Sequence, residues 1–186
     1  MSKKHIYLVF SKTGTMFSHL ISLCTQKEYA HVSLSLDNTF TKMYSFGRIN
    51  PSRMLPAGFV EENLYSGVFA MFPESKCLIY SVEVTTAQYI KLILEINKFH
   101  RNKDSLKYNV LGTGLLYFNK PMKRENFYFC SEFVAEVLIN SGIFITDKKP
   151  EEIMPLDLLA IKNKTIIYEG YINKSKNIAT NMASIV

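Results

Sequence analysis

The chain predicts an α+β fold, an antiparallel sheet followed by a late helical segment, and three stretches carry that prediction. Ala30-His31-Val32-Ser33-Leu34-Ser35-Leu36 alternates strictly, with Val32, Leu34 and Leu36 on one face and His31, Ser33 and Ser35 on the other. Asp37-Asn38 is turn chemistry and Thr39 to Phe46 is a second β run, which makes a hairpin. Further on, Phe127 to Leu138 repeats apolar residues at helical spacing after the polar loop Asn119 to Asn126, and Ser141-Gly142 supplies the stop.

The remaining elements follow in chain order. His5 to Phe10 is a short apolar strand, and Met16, Phe17, Leu20, Ile21 and Leu23 predict a helix from about Thr15 to Thr25 that carries His19. Gly47 to Phe59, with its prolines, glycines, Arg48 and Arg53, reads as an irregular loop, and the stretch 47–63 is long enough to border a site. Gly67 to Phe72 and Lys76 to Val84 read as strands around a Pro73 turn. Thr85-Thr86-Ala87-Gln88 is a capping-box pattern that opens a helix running to about His100. Tyr108 to Phe118 predicts a short helix, Pro155 to Leu159 a helix start or turn, and Thr165 to Ile172 a last strand. A polar tail from about Asn173 is expected to fray.

With 186 residues, 47% hydrophobic and 20% charged, the chain suits a single domain over 1–186 with a sizeable core. It holds no internal repeat and no apolar run long enough to span a bilayer. The start Met1-Ser2-Lys3-Lys4-His5 begins like a leader, but its apolar run breaks at Ser11-Lys12-Thr13-Gly14 with no small-residue cleavage site, so a cytoplasmic protein is expected. Cys24, Cys77 and Cys130 cannot all pair within one chain and read as reduced thiols. The net charge of +6 comes from scattered basic residues without a nucleic-acid motif, so a solvated basic surface is expected and no nucleic-acid partner. Four scattered histidines without carboxylate–histidine spacing predict no metal site, and no cofactor is expected.

Cys130 falls in the first turn of its helix, where the positive end of the helix dipole and unpaired backbone N–H groups favour a thiolate. A buried structural cysteine is the competing reading, since Cys130 shares a helical face with Val134, Val137 and Leu138. His31, held rigidly on a strand, is the natural base. A two-residue loop at Asp37-Asn38 would set His31 opposite Tyr44, and a loop one residue longer would make Ser45 the partner. His100, at a basic helix end, and His19 are read as structural or exposed.

Tyr29-Ala30-His31-Val32-Ser33-Leu34-Ser35-Leu36-Asp37 together with Phe129-Cys130-Ser131-Glu132-Phe133-Val134 resembles the circularly permuted branch of the NlpC-type papain-like superfamily, the YiiX-like proteins. Ile6 to Thr25 and Met154-Pro155-Leu156-Asp157-Leu158 resemble it as well, so the likeness covers most of the chain. The resemblance implies a small antiparallel sheet or half-barrel packed on the cysteine helix, with a Cys–His pair in the cleft. It implies cleavage or transfer at an amide, thioester or ester bond by a cysteine hydrolase of peptidase or amidase type. The substrate would be a small peptide, an acyl amide or a lipid-like molecule. Cys130 is then the nucleophile, and His31 the base and acid. Relatives often carry a carboxylate or another polar group on the strand after the histidine; this hairpin offers Tyr44 and Ser45 as orienting residues and no Asp or Glu. Tyr108, which resembles an oxyanion-lining tyrosine, joins Ser131 and Arg48 as candidate oxyanion and substrate residues. The alternatives are a thiol acyltransferase acting on lipids, and a non-catalytic module that uses Arg48 and Arg53 to hold an anionic ligand.

Overall fold

The computed structural model describes residues 3–13, 29–72, 74–118 and 120–177. The expected helix from Thr15 to Thr25, with His19 and Cys24, lies outside them, as do tail residues 178–186. The sheet joins β1 (Lys3–Lys12), β2 (His31–Ser35), β3 (Met43–Arg48), β4 (Ala57–Glu62), β5 (Lys76–Thr85) and β8 (Lys164–Tyr171). These six strands lie in the order β4-β3-β2-β1-β5-β8, and every neighbouring pair is antiparallel. A parallel two-stranded ladder, β6 (Lys107–Tyr108) with β7 (Phe127–Tyr128), stands apart. The helices are α1 (Gly67–Met71), α2 (Thr86–Arg101), α3 (Val110–Tyr117) and α4 (Cys130–Asn140). The fold class is α+β, as the sequence predicts.

Strand alternation gives the sheet two buried faces. Ile6, Leu8, Phe10, Val32, Leu34 and Phe46 face α2 and α4. Tyr7, Val9, Met43, Cys77 and Ile79 build a second core on the other side, closed by Leu64, Phe69 and Ile172. The predicted polar face of the hairpin is therefore itself covered: Ser33 and Ser35 are wholly buried. Phe133 of α4 meets Phe99, Phe59 and Phe46 at ring-centroid distances of 4.9, 5.4 and 5.6 Å, which fixes the cysteine helix against β3 and β4. The capping box at Thr85 is present: its hydroxyl accepts from the Gln88 N–H at 3.2 Å and the Gln88 side chain accepts from the Thr85 N–H at 3.0 Å.

Four expectations are corrected. The hairpin loop is longer than two or three residues, because Ser35 pairs with Met43 and Leu34 with Tyr44. The cause is Phe40, which adopts φ 54° and buries its ring against Tyr7 while Asp37 accepts from the Thr39 N–H at 2.8 Å. The loop assigned to Gly47 to Phe59 ends in a strand, β4, whose Phe59 faces the aromatic cluster. Gly67 to Phe72 is the short helix α1 and not a strand; Gly67 at φ 59° breaks the extended run, and Phe69 turns into the second core. The first residues of the tail do not fray, since Ile172–Asn177 is a 3₁₀ turn that buries Ile172 and Ser175.

Candidate active site

Cys130 is the first residue of α4, as its position in the sequence implies. The entry to the helix is braced by the parallel ladder: the Lys107 N–H donates to the Asn126 carbonyl and the Asn109 N–H to the Tyr128 carbonyl, each at 2.8 Å. Glu132 reaches back from within the first turn to accept the Phe129 N–H at 3.4 Å. Lys123 donates to its other oxygen at 2.9 Å. Cys130 is 4% exposed, and its backbone N–H lies among those that have no partner within a helix.

His31 opens β2 and is paired with Ser11 of β1. Extending the Leu34–Tyr44 register along the hairpin brings His31 opposite Gly47 and not opposite Tyr44 or Ser45. The His31 Nε2–H donates to both oxygens of Glu62, at 3.1 and 3.0 Å. Glu62 closes β4, and the Ser33 hydroxyl donates to its Oε2 at 2.5 Å. The Cys130 side chain lies near enough to the ring to favour its protonated form. Because Nε2 is committed to the carboxylate, Nδ1 is the nitrogen available to the thiol. Gly47 makes room for this pair, as a Cβ there would stand 3.1 Å from Glu62 Oε1 and 3.9 Å from His31 Cε1.

Burial of His31 opposes its charge, but the Glu62 carboxylate and then the Cys130 side chain more than offset it, lifting the imidazolium well above its ordinary 6.5. Burial likewise opposes the Glu62 charge, and the His31 cation with the Ser33 hydroxyl holds its carboxyl below the ordinary 4.5. The pair therefore stays charged at neutral pH, with Cys130 beside the imidazolium.

The orienting residue expected at Tyr44 or Ser45 is thus Glu62. Tyr44 stacks on Phe59 at 6.3 Å, with the Lys42 ammonium 5.5 Å above its ring. The buried Ser45 hydroxyl donates to the Val32 carbonyl at 2.8 Å. Ser131 is also spent on structure, its hydroxyl donating to the Ile153 carbonyl at 2.7 Å. Tyr108 and Arg48 do border the cleft that reaches His31 and Glu62. The sequence did hold a signal for Glu62, in the β-forming Phe59-Val60 that precedes a pair of carboxylates, but Pro56 and Gly58 hid it in an apparent loop.

The described residues thus define an α+β protein that gathers a cysteine, a histidine and a carboxylate where a helix begins against an antiparallel sheet. Compared with solved structures, the chain is similar to metalloprotein yiiX from Escherichia coli O157:H7, with a TM-score of 0.60 and 16% sequence identity over 90% of this chain and 98% of that one. The likeness shows a shared overall fold, that of the YiiX-like proteins. No family model matches the chain, and no curated protein matches it. Among the described residues no three His, Cys, Asp or Glu side chains are grouped to hold a metal ion. No helix among them is long and apolar enough to cross a membrane.

Proposed function

We propose that the protein is a cysteine hydrolase of permuted papain-like type that cleaves an amide, ester or thioester through Cys130, His31 and Glu62. The supporting observation is the Glu62–His31–Cys130 chain of contacts, in which a buried carboxylate fixes the imidazole and leaves one nitrogen for the thiol. The strand that carries the histidine precedes the helix that carries the cysteine, the order of the permuted branch.

Cys130 attacks as the thiolate while His31 holds the proton as an imidazolium. A bond forms between Cys130 Sγ and the carbonyl carbon, and the first-turn N–H groups of α4 take up the developing oxyanion. The bond from that carbon to the leaving group breaks, and the His31 proton passes to the leaving amine, alcohol or thiol. Water then gives a proton back to His31 and its oxygen to the acyl carbon, which frees the acid and restores Cys130. Glu62 orients the ring and stabilises its cation throughout, aided by Ser33. Transfer to an amine or alcohol in place of water would use the same residues.

The test is the pH dependence of iodoacetamide alkylation at each cysteine by peptide mass mapping, in the wild type, in His31→Ala and in Glu62→Gln. Cys130 is expected to react faster than the other cysteines in the folded protein at neutral pH, with that advantage lost in His31→Ala. A Cys130 that resists alkylation, or that reacts regardless of His31, removes the catalytic reading and leaves a binding module on the same fold.

A further inference from the structure

Helix α3 inverts the arrangement of an ordinary surface helix, which turns its apolar stripe inward and its polar side to water. With about 3.6 residues per turn, Val110, Gly114, Phe118, Leu111 and Leu115 follow one another around a single arc of the helix, Phe118 standing just past its end. Val110, Leu111 and Phe118 are 49%, 57% and 75% exposed, Gly114 is exposed and Leu115 is half-buried. Gly112, Thr113 and Leu116 take the inner side, where the Thr113 hydroxyl donates to the Asn109 carbonyl at 2.9 Å. Every residue of the water-facing arc is therefore apolar.

The loop between β3 and β4 extends this surface. Its Met54 and Leu55 are 57% and 65% exposed and meet Val110 around one opening of the molecule. Exposed apolar side chains gathered in this way mark a place where something docks, and the charges around them say what. The two stretches that build the surface, residues 48–58 and 107–124, hold Arg48, Arg53, Lys107, Lys120, Lys123 and Arg124 and no aspartate or glutamate. Lys123 is held by Glu132 and Glu136, and Arg124 lies 3.8 Å over the Phe127 ring. Arg53, Lys107 and Lys120 are exposed and form no salt bridge among the described residues. A second copy of the chain suits this surface badly, because a two-fold contact would set each group of cations against its twin. A leaflet of anionic phospholipid suits both halves of it, since the acyl region takes apolar side chains and the headgroup phosphates take cations.

We propose that α3 and the β3–β4 loop dock the protein on an anionic phospholipid surface, with Leu111 and Phe118 entering below the headgroups and Arg53, Lys107 and Lys120 lying among the phosphates. The protein rests on the surface and does not span it. Docking is independent of the hydrolase reading, so Cys130→Ala should bind as well as wild type does.

The experiment is co-sedimentation of the full chain with extruded vesicles, either of phosphatidylcholine alone or of phosphatidylcholine and phosphatidylglycerol at three parts to one. Partition is expected to be about tenfold or more greater on the mixed vesicles, and to fall steeply between about 0.1 M and about 0.5 M salt as the charges are screened. Arg53→Glu and Lys120→Glu should each weaken it about fivefold or more. Leu111→Gln combined with Phe118→Ser should weaken it about tenfold or more, through lost apolar burial. Both side chains are exposed, so the doubly changed protein should keep the thermal midpoint of wild type, which shows that the fold is intact.

No partition onto the mixed vesicles would overturn the proposal. So would partition that Leu111→Gln with Phe118→Ser leaves unchanged, since a basic surface alone would then account for the binding. A dimer in sedimentation velocity that the same two changes dissolve, with no vesicle binding, would give the apolar surface to a second copy of the chain and overturn the membrane docking.

Discussion

Two cysteines of this chain are buried almost equally, in surroundings of opposite kind. Cys77 is wholly buried in β5, between Ser11 of β1 and Gly170 of β8, and packs in the second core. Burial alone pushes its thiol up to about 12. Cys130 is also buried, yet it stands at a helix start with the His31 ring beside it. Lack of exposure therefore says little about a thiol. What separates the two is a cation within reach, and that cation exists because Glu62 offsets the burial of His31.

The largest expected effect divides the cysteines outright. Cys130→Ala should bring ester or amide turnover to background while the protein stays folded. Cys77→Ala should keep turnover and lower stability by about 1 kcal/mol through a small cavity, read as a shifted denaturation midpoint. Activity that survives in Cys130→Ala would erase the distinction.

His31→Ala comes next. It should cut kcat/KM by on the order of 10³-fold and make Cys130 react with iodoacetamide as slowly as Cys77 does in the folded state. Glu62→Gln is milder, about tenfold to 100-fold, and its signature is in the pH profile. The thiolate–imidazolium pair persists while His31 holds its proton and fails as pH rises through the raised His31 pKa. Removing the carboxylate lowers that pKa, so the alkaline limb of kcat/KM should move to lower pH. Stability follows the same signs: the raised His31 contributes fully below its ordinary 6.5 and loses that contribution as pH climbs through its folded value. Glu62, held below 4.5, contributes above that value and loses its share as pH falls through its folded value. An alkaline limb that does not move in Glu62→Gln would assign the His31 shift to something other than the carboxylate.

Half of the candidate site was legible in the residues. Cys130 at a helix start and His31 on an alternating strand follow from local periodicity, and the structure keeps both. Glu62 was not legible, because its contribution depends on register. Phe40 lengthens the hairpin loop, which moves Tyr44 and Ser45 away from His31, and β4 then brings its last residue to the ring across the side-chain-free Gly47. Each of these steps depends on tertiary burial that no short window encodes. The capping box at Thr85 and the strand from Lys76 were legible for the opposite reason, since their signals are complete within a few residues.

The finest comparison sets Cys130 against its own neighbour. Glu132, two residues along the same helix, is fully buried, and burial pushes its carboxyl up to about 7 while Lys123 and the Phe129 N–H pull the other way. Like Cys77, it is a buried acid whose charge is disfavoured, and its one cationic partner, Lys123, is partly exposed to solvent. The folded protein thus holds a proton on Glu132 that the unfolded chain releases from about pH 4.5 upward, so stability should fall as pH rises from there to about 7. Glu132→Gln keeps the oxygen that accepts from Phe129 and removes the titration. Urea denaturation across that window should show a decline on the order of 1–2 kcal/mol in the wild type and a flatter curve in the variant. A variant curve as steep as the wild type would mean that Lys123 holds Glu132 fully charged, and that a cation from the helix side suffices to keep a buried group ionised beside Cys130.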